Sequence, residues 1–212
     1  DGLPVDIFKE LDLEVLQLLR DLLNKLWNGL ELSPEITQAQ VVLIFKKGNK
    51  ADLGNYRPIS LLNTTYKIYT TILQHRLASV LDPYLQPTQY GFRKNKSTAN
   101  AVHYVRRVME KGEKTGTKKL FVLLDWEKAF DKVRHEALFR ALSRMNVPTK
   151  YVNAIRALYK QPTFRVEMEG QISTWIQQTT GIRQGCPLSP YLFILVMDRI
   201  FEVIPHIAGQ QK

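Results

Sequence analysis

Apolar residues recur every three or four positions in the first part of the chain. This spacing predicts one amphipathic helix over residues 5–27, which Asn28-Gly29 is expected to end. The helix face would be formed by Val5, Phe8, Leu11, Val15, Leu18, Leu19, Leu22, Leu23 and Leu26. Two extended segments, 40–45 and 56–62, then flank a turn-rich basic loop, a pattern that predicts two strands.

Helices and one buried strand are predicted in the middle of the chain. Thr64 or Thr65 is expected to cap a helix that runs to about Leu81, where Asp82-Pro83 ends it. Ser97 or Thr98 is expected to cap a second helix to about Glu110. The continuous apolar run LFVLL, residues 120–124, is typical of a strand buried on both faces.

The last part of the chain alternates helices with a hairpin. Helices are predicted over 134–144 and from Pro148 to about Tyr159. Alternating polarity on both sides of Gly170 predicts a β-hairpin, and the loop GIRQGCPLSP leads into a helix over about 190–204. This order of elements predicts an α+β fold.

Charge is distributed unevenly along the chain. The 212 residues carry a formal net charge of +10, with −5 in residues 1–45, +7 in 46–96 and +8 in the remainder. Such an excess favours a polyanionic partner, with nucleic acid ahead of a membrane surface, and the alternative is a solvated basic face. The apolar and charged fractions, 44% and 24%, are those of an ordinary globular domain.

Asp125 is the first candidate for chemistry. It follows the predicted strand LFVLL directly, and Glu127 and Asp131 are close in sequence. Ligands and metals often bind where a strand ends, so Asp125 is a candidate metal ligand. The alternative is an aspartate that caps a turn or the next helix.

Two basic loops and one glycine-flanked loop are the other candidates. Lysine and arginine on short loops suit phosphate oxygens, or they form a solvated surface. The residues concerned are Lys46, Lys47, Lys50 and Arg57 around the first loop, and Arg93, Lys94 and Lys96 in the second. In GIRQGCPLSP, Gly181 and Gly185 permit a close backbone approach and Gln184 could bond a base or ribose; the alternative is a plain strand-to-helix turn.

Several classes of protein lack their sequence signatures here. There is no phosphate-binding loop G-x-x-x-x-G-K-[ST] and no dinucleotide glycine fingerprint. The single cysteine, Cys186, excludes cysteine metal sites and internal disulfides, and the four histidines are scattered. No apolar run is long enough for a membrane span, and the acidic start does not resemble a signal peptide, so a protein that is not secreted is expected.

Four segments of the sequence resemble successive motifs of reverse transcriptases. They are VVLIFKKGNKADLGNYRPISLLNTTYKI, QYGFRKNKST, LLDWEKAFDKV and GIRQGCPLSPYLF. The order and separation of these segments resemble those of non-LTR (LINE-type) retrotransposon enzymes most, and group II intron enzymes less. The resemblance implies a right-hand polymerase fold with fingers over 46–117 and a partial palm over 118–212, after an N-terminal helical extension over 1–45. The hairpin at about 163–180 would be associated with the fingers, and no thumb is expected.

The resemblance implies roles for individual residues. Asp125 would bind Mg²⁺ (or Mn²⁺) in two-metal nucleotidyl transfer, with the main-chain carbonyl of Trp126 assisting. Phe130 would be the gate that excludes a ribose 2′-hydroxyl. The incoming dNTP would also contact Arg57, Gln184, Gly185 and one of Lys46 and Lys47. The RNA template, paired with a DNA primer, would run along Arg93, Lys94 and Lys96.

One part of the family pattern does not occur in the sequence. No Asp-Asp pair is found, whereas the palm of these enzymes carries a Tyr/Phe-Ala-Asp-Asp turn some tens of residues beyond the Pro-Leu-Ser-Pro helix. The expectation is therefore a fragment that is inactive alone, poorly stable, and exposed to aggregation beside LFVLL. The alternative is a catalytically dead or domesticated nucleic-acid-binding remnant. An intracellular protein of the nucleus or cytoplasm is expected in either case.

Overall fold

The computed structural model describes residues 5–208, which form seven α-helices and five β-strands. The mixture of helices and one sheet confirms the predicted α+β class. The helices are α1 Leu13–Trp27, α2 Pro34–Thr37, α3 Thr64–Leu81, α4 Thr98–Thr115, α5 His135–Arg144, α6 Thr149–Leu158 and α7 Ser189–Ala208. The strands are β1 Ala39–Phe45, β2 Tyr56–Leu62, β3 Thr163–Met168, β4 Gln171–Ile172 and β5 Ile176–Gln177.

The sheet combines an early hairpin with a late one. β1 pairs antiparallel with β2, as predicted, with Ala39 opposite Leu62 and Phe45 opposite Tyr56. On its other edge β1 pairs parallel with β3, and β3 pairs antiparallel with β4 and β5, which confirms the hairpin around Gly170. The strand order β2-β1-β3-β4 therefore joins segments more than a hundred residues apart in sequence.

The N-terminal segment is not one continuous helix. Residues Val5–Lys9 form a short 3₁₀ helix, and α1 begins only at Leu13. The carboxylate of Asp12 accepts a hydrogen bond of 2.9 Å from the backbone N–H of Val15, so Asp12 caps the helix. The apolar spacing continues through this break, which is why the pattern alone predicted a helix over 5–27. Its end at Asn28-Gly29 is confirmed.

Capping side chains also set the start of α3 and α4. Asn63, and not Thr64 or Thr65, caps α3 by accepting from the N–H of Thr65 at 2.8 Å. Ser97 caps α4 as predicted, and Asn100 returns the bond to the N–H of Ser97, which makes a capping box. α4 extends past the predicted end at Glu110 to Thr115.

The predicted strand LFVLL is wrong. Within the described part of the chain, residues 120–124 join no ladder, and Leu120 and Leu123 are 90% and 92% exposed. A strand exists only through hydrogen bonds to a neighbouring strand, and the five strands of the sheet are grouped elsewhere. The apolar run LFVLL is typical of a buried segment, but the described residues do not bury it.

The hydrophobic core lies among four helices. Its largest fully buried side chains include Tyr66 and Leu73 of α3, Leu138 and Leu142 of α5, and Ile155 of α6. Helix α7 adds Tyr191, Leu192, Ile194 and Leu195. This packing fixes α7, and with it the loop that precedes it. In the described residues no helix combines the length and apolarity needed to cross a membrane.

Candidate functional site

The loop of residues 181–188, which precedes α7, begins against the segment that follows Asp125. The N–H of Gly181 donates to the carbonyl of Val133 at 2.9 Å, and the N–H of Ile182 donates to the carbonyl of Phe130 at 2.9 Å. A β-carbon on Gly181 would lie 2.9 Å from the carbonyl oxygen of Asp131 and 3.0 Å from its α-carbon. Only glycine permits this approach of the two backbones.

The same loop meets strand β2 a few residues later. The N–H of Ser60 donates to the carbonyl of Gln184 at 2.7 Å. Gly185 has a φ of +120°, and a β-carbon there would lie 2.5 Å from the Ser60 carbonyl oxygen. Both glycines thus permit a close backbone approach, as the sequence predicted, and the loop bridges β2 to residues 130–133.

Three aromatic rings join the remaining segments. The ring centroids of Phe92 and Phe130 are 6.3 Å apart, and those of Phe130 and Phe193 are 5.1 Å apart. Both pairs fall within the range of favourable aromatic contacts. Phe92 belongs to the second basic loop, Phe130 follows Asp125, and Phe193 lies in α7. The half-buried Phe130 ring is therefore the centre of the cluster.

Asp125 and Trp126 lie five and four residues before Phe130 in the chain. Both are exposed, and the nearby carboxylate of Glu127 forms an ion pair of 3.2 Å with Lys132. In the part of the chain that the structure describes, no group of three or more His, Cys, Asp or Glu side chains could hold a metal ion. The carboxylates present do not by themselves fit a site for two Mg²⁺ ions.

The first basic loop closes on itself at the end of the β1–β2 hairpin. The N–H of Lys46 donates to the carbonyl of Asn55 at 2.8 Å, and the side chain of Asn55 donates to the carbonyl of Asn49 at 2.9 Å. The side chains of Lys46, Lys47 and Arg57 are exposed. Because β2 also carries Ser60, Arg57 stands on the strand that contacts Gln184.

In the second basic loop, Arg93 has a different environment from the neighbouring lysines Lys94 and Lys96. The Arg93 side chain is only 7% exposed and binds both carboxylate oxygens of Asp82 at 3.0–3.2 Å. It also donates to the carbonyls of Asp82, Gln86 and Gln89. Lys94 is exposed, and Lys96 is half-buried beside Tyr90. The charge of Arg93 is thus engaged within the protein, whereas Lys94 presents its charge to solvent.

Arg183 is an important residue that sequence reasoning did not single out. It is 3% exposed and donates to the carbonyl of Thr37 and to the side chain of Gln178, the latter at 3.3 Å. Its guanidinium lies 5.5 Å from the ring centroid of Tyr66. Burial raises the pKa of Tyr66 well above its usual value, and Arg183 opposes that shift. A basic residue between two glycines gives no sequence signal that it is buried.

The sequence family "Reverse transcriptase (RNA-dependent DNA polymerase)" matches residues 44–211. The chain belongs to the reverse transcriptase family.

Three curated relatives of this reverse transcriptase chain are named for mobile elements. The "Transposon TX1 uncharacterized 149 kDa protein" of Xenopus laevis is 29% identical over 93% of the chain. The Pol polyprotein of the type-1 element R2 of Nasonia vitripennis is 28% identical over 99%, and the RNA-directed DNA polymerase from the mobile element jockey of Drosophila melanogaster is 28% identical over 73%. The resemblance to non-LTR enzymes is confirmed. The chain spans only 15%, 20% and 17% of the length of these proteins.

A solved structure supports the fold assignment. Apo telomerase from Candida tropicalis, truncated from its C-terminal domain, superposes with a TM-score of 0.52 at 15% identity. The match covers 92% of this chain and 45% of the telomerase chain. At this identity the likeness concerns the fold alone, and it agrees with a fold of the reverse transcriptase fingers and palm.

The structure brings the four reverse transcriptase motifs together. The loop 181–188 contacts β2 and residues 130–133. The Phe92, Phe130 and Phe193 rings connect the second basic loop to the segment after Asp125 and to α7. The roles assigned by resemblance to Asp125, Trp126, Phe130, Gln184 and Gly185 stay predictions. The same holds for the lysines and arginines of the two basic loops.

Proposed function

We propose that this chain is the fingers and part of the palm of an RNA-directed DNA polymerase that extends a DNA primer on an RNA template. The observation that carries the proposal is the convergence of four motifs on one site. The hydrogen bond from Ser60 to Gln184 holds strand β2 against the loop that precedes α7. The close approach of Gly181 to Asp131 holds the segment after Asp125 against the same loop. Family membership supplies the reaction class.

The incoming dNTP would be held by residues from both sides of the loop. Arg57 and one of Lys46 and Lys47 have exposed cationic side chains suited to a triphosphate. Gln184 and Gly185 lie beside the strand that carries Arg57. Phe130 is fixed by rings on two sides, so it would offer a rigid surface to the sugar.

The template strand would follow the second basic loop. Lys94 and Lys96 supply charge for phosphate contacts, and residues 46–96 carry a net +7. Arg93 would act by holding this loop on the end of α3 through Asp82. Domain limits of 1–45, 46–117 and 118–212, with the hairpin near 163–180 serving the fingers, are part of the proposal.

We propose polymerization not for the 212-residue chain alone but for a polypeptide in which further carboxylates lie beside Asp125. Divalent ions such as Mg²⁺ or Mn²⁺ serve polymerases by stabilising charge on the reacting oxygens. The described residues do not provide the ligand set, so we expect the 212-residue chain alone to be inactive. An intracellular site of action, in the nucleus or cytoplasm, belongs to the proposal because dNTPs and RNA templates occur there.

The proposal is tested by nucleotide crosslinking to the purified chain. A DNA primer annealed to an RNA template with a 5′ overhang is mixed with a photoreactive dNTP, and crosslinking is compared with that of the matching rNTP. We expect crosslinks that depend on the templating base and fall several-fold in Arg57→Ala. Arg140→Ala, an exposed arginine of α5, is the matched control.

Two outcomes would each contradict a part of the proposal. Binding of the primed template without base-dependent crosslinking would support the catalytically dead, nucleic-acid-binding alternative. Processive primer extension by the chain with Mg²⁺ and dNTPs would refute its expected inactivity alone, while supporting the reaction class.

A further inference from the structure

A groove lies between the C-terminal half of α3 and the turn that joins α5 to α6. Its volume is about 580 Å³, within the range of about 300–1,000 Å³ that small-molecule sites occupy. Arg199 of α7 lines one side of it. None of the residues assigned above to the dNTP, the metal or the template is among the residues that line this groove. The groove is therefore a separate feature of the molecule.

The floor of the groove is apolar and continuous with the hydrophobic core. Leu77 and Leu81 of α3 and Val147 before α6 line it, and they are 4%, 6% and 6% exposed. At the rim, Val80 and Tyr84 are 63% and 75% exposed. A ligand with an apolar body would remove this surface from water, which is favourable.

The wall opposite α3 is a turn fixed by backbone hydrogen bonds. Asn146 has a left-handed φ of 55°, a conformation that asparagine adopts readily, and it ends α5. The N–H of Val147 donates to the carbonyl of Leu142 at 3.1 Å, and the N–H of Met145 donates to the carbonyl of Ala141 at 3.1 Å. These bonds satisfy carbonyls at the end of α5, so Met145 and Val147 are held in place along the groove.

Two arginines with unpaired charge line the same groove. Arg76 of α3 and Arg144 at the end of α5 are exposed. Within the described residues neither guanidinium forms an ion pair, and that of Arg76 lies 5.8 Å from the centroid of the Trp27 ring. No acidic side chain is among the residues that line the groove. Cations beside an apolar wall of low dielectric attract an anion more strongly than the same cations do in open water.

The third arginine of the groove differs from these two. Arg199 forms ion pairs of 2.6 Å with Asp198 and with Glu202, its neighbours on α7. Its charge is therefore neutralised within the helix. Arg76 and Arg144 supply the positive charge that a ligand in the groove would meet.

We propose that the groove binds a small organic anion that combines an aromatic or aliphatic body with one carboxylate. The body lies on Leu77, Leu81 and Val147, and the guanidinium groups of Arg76 and Arg144 bind the carboxylate. Arginine suits this role because its forked donors match two carboxylate oxygens. Phosphates of a nucleic acid would also suit the arginines, but the apolar floor offers no hydrogen bonds to base edges. The floor therefore favours the small anion.

The test measures binding of biphenyl-4-carboxylate to the 212-residue chain by isothermal titration calorimetry. Biphenyl-4-carboxamide, which has the same body and no charge, is the matched ligand. We expect the carboxylate to bind about ten-fold more tightly, as one charge-assisted contact would give. Arg144→Gln should remove most of that preference and leave the affinity for the carboxamide unchanged. Arg140→Gln is the control, because it makes the same change in the same helix outside the groove.

A pair of substitutions at the rim tests the effect of charge at one position. Val80 is 63% exposed, so its replacement leaves the core intact. Val80→Asp should weaken binding of the carboxylate several-fold, whereas Val80→Lys should keep or strengthen it. Urea unfolding of each variant verifies that the fold is retained.

Four results would overturn the inference. The first is no binding of the carboxylate, and the second is equal affinity for the carboxylate and the carboxamide. The third is carboxylate binding that is unchanged in both Arg144→Gln and Val80→Asp, which would place the probe elsewhere, for example on the exposed run LFVLL. The fourth is displacement of the probe by a single-stranded oligonucleotide whose own affinity falls in Arg144→Gln, which would assign the groove to nucleic acid.

Discussion

Gly185 and Ser60 lie so close that a β-carbon on Gly185 would be 2.5 Å from the Ser60 carbonyl oxygen. One residue earlier, the carbonyl of Gln184 accepts the N–H of Ser60 at 2.7 Å. The contact joins the strand that carries Arg57 to the loop that reaches Asp131. The position of the fingers strand relative to the Asp125 segment therefore depends on a backbone contact that tolerates no side chain.

Gly185→Ala should destabilise the fold and disturb the site. Alanine at a φ of +120° is strained by about 1–3 kcal/mol, and the clash with Ser60 adds to that. Gly29→Ala is the matched control, because Gly29 has a φ of +99° and a β-carbon added there would meet no atom within 4 Å. Urea unfolding should show a larger loss in the free energy of unfolding for Gly185→Ala than for Gly29→Ala. Equal losses in the two variants would contradict the close contact.

Arg93→Ala should lower stability first and template affinity only as a consequence. Its guanidinium is largely buried against Asp82, and removing one partner of such a pair costs about 2–4 kcal/mol. Lys94→Ala is the control, since Lys94 is exposed and should affect the salt dependence of RNA binding but not the unfolding midpoint. Unchanged stability in Arg93→Ala, together with lost RNA affinity, would assign Arg93 directly to the template.

Arg183→Ala should be among the most damaging single changes in the loop. It would remove the bonds to Thr37 and Gln178 and leave a void beside Tyr66, a loss of about 3–5 kcal/mol. Arg183→Lys should recover only part of the lost stability, because an ammonium group lacks the planar, forked donors of a guanidinium. The midpoint of thermal unfolding of Arg183→Ala is compared with that of the control, Arg140→Ala. Equal midpoints would argue against a stabilising role of the buried Arg183 side chain.

Tyr69→Phe should flatten the alkaline part of the stability profile. Burial raises the pKa of Tyr69 to about 12, while Arg76 acts in the opposite direction. The unfolded tyrosine ionises near pH 10, so above that pH the unfolded state binds fewer protons and stability falls. From pH 9 to pH 11 the wild type should lose about 1 kcal/mol more than the variant, measured by urea unfolding.

At neutral pH the same variant should be at least as stable as the wild type. Within the described residues the Tyr69 hydroxyl is buried without a hydrogen-bond partner, so its removal relieves a buried polar group. Parallel pH profiles for the two proteins would contradict the raised pKa.

Replacing Leu120 and Leu123 by lysine should reduce self-association without loss of stability. Both side chains are at least 90% exposed, and the run LFVLL, which joins no strand within the described residues, presents apolar side chains to solvent. Light scattering against concentration measures association. Leu53→Lys, at a separate exposed leucine, is the control and should leave association unchanged.

The sequence predicted elements whose signals are local and missed those that depend on distant residues. Ser97, the turn at Gly170 and the β1–β2 pairing are set by neighbours in the chain, and they were predicted correctly. The break at Asp12 is an exception: its signal is local, the Asp12 cap on α1, but it was missed because the apolar spacing runs through it. LFVLL was wrong because hydrophobicity does not specify a strand's partner.

The candidate site shows the same division. The close approaches at Gly181 and Gly185 were expected from glycine in a short loop. The inward turn of Arg93 and the burial of Arg183 could not be read from sequence, because each depends on a carboxylate or carbonyl elsewhere in the fold. At Arg93, for example, charge in a loop indicated an anionic partner outside the protein, whereas the carboxylate of Asp82 within the protein accepts its hydrogen bonds.

The parallel pairing of β1 with β3 has a consequence for synthesis of the protein. Ribosomes add about 5–20 residues per second, so the β1–β2 hairpin leaves the ribosome several seconds before its partner β3 is made. During that interval one edge of β1, including Val41 and Val42, has no strand beside it. In that interval the unpaired edge of β1 would be open to pairing with a strand of another chain.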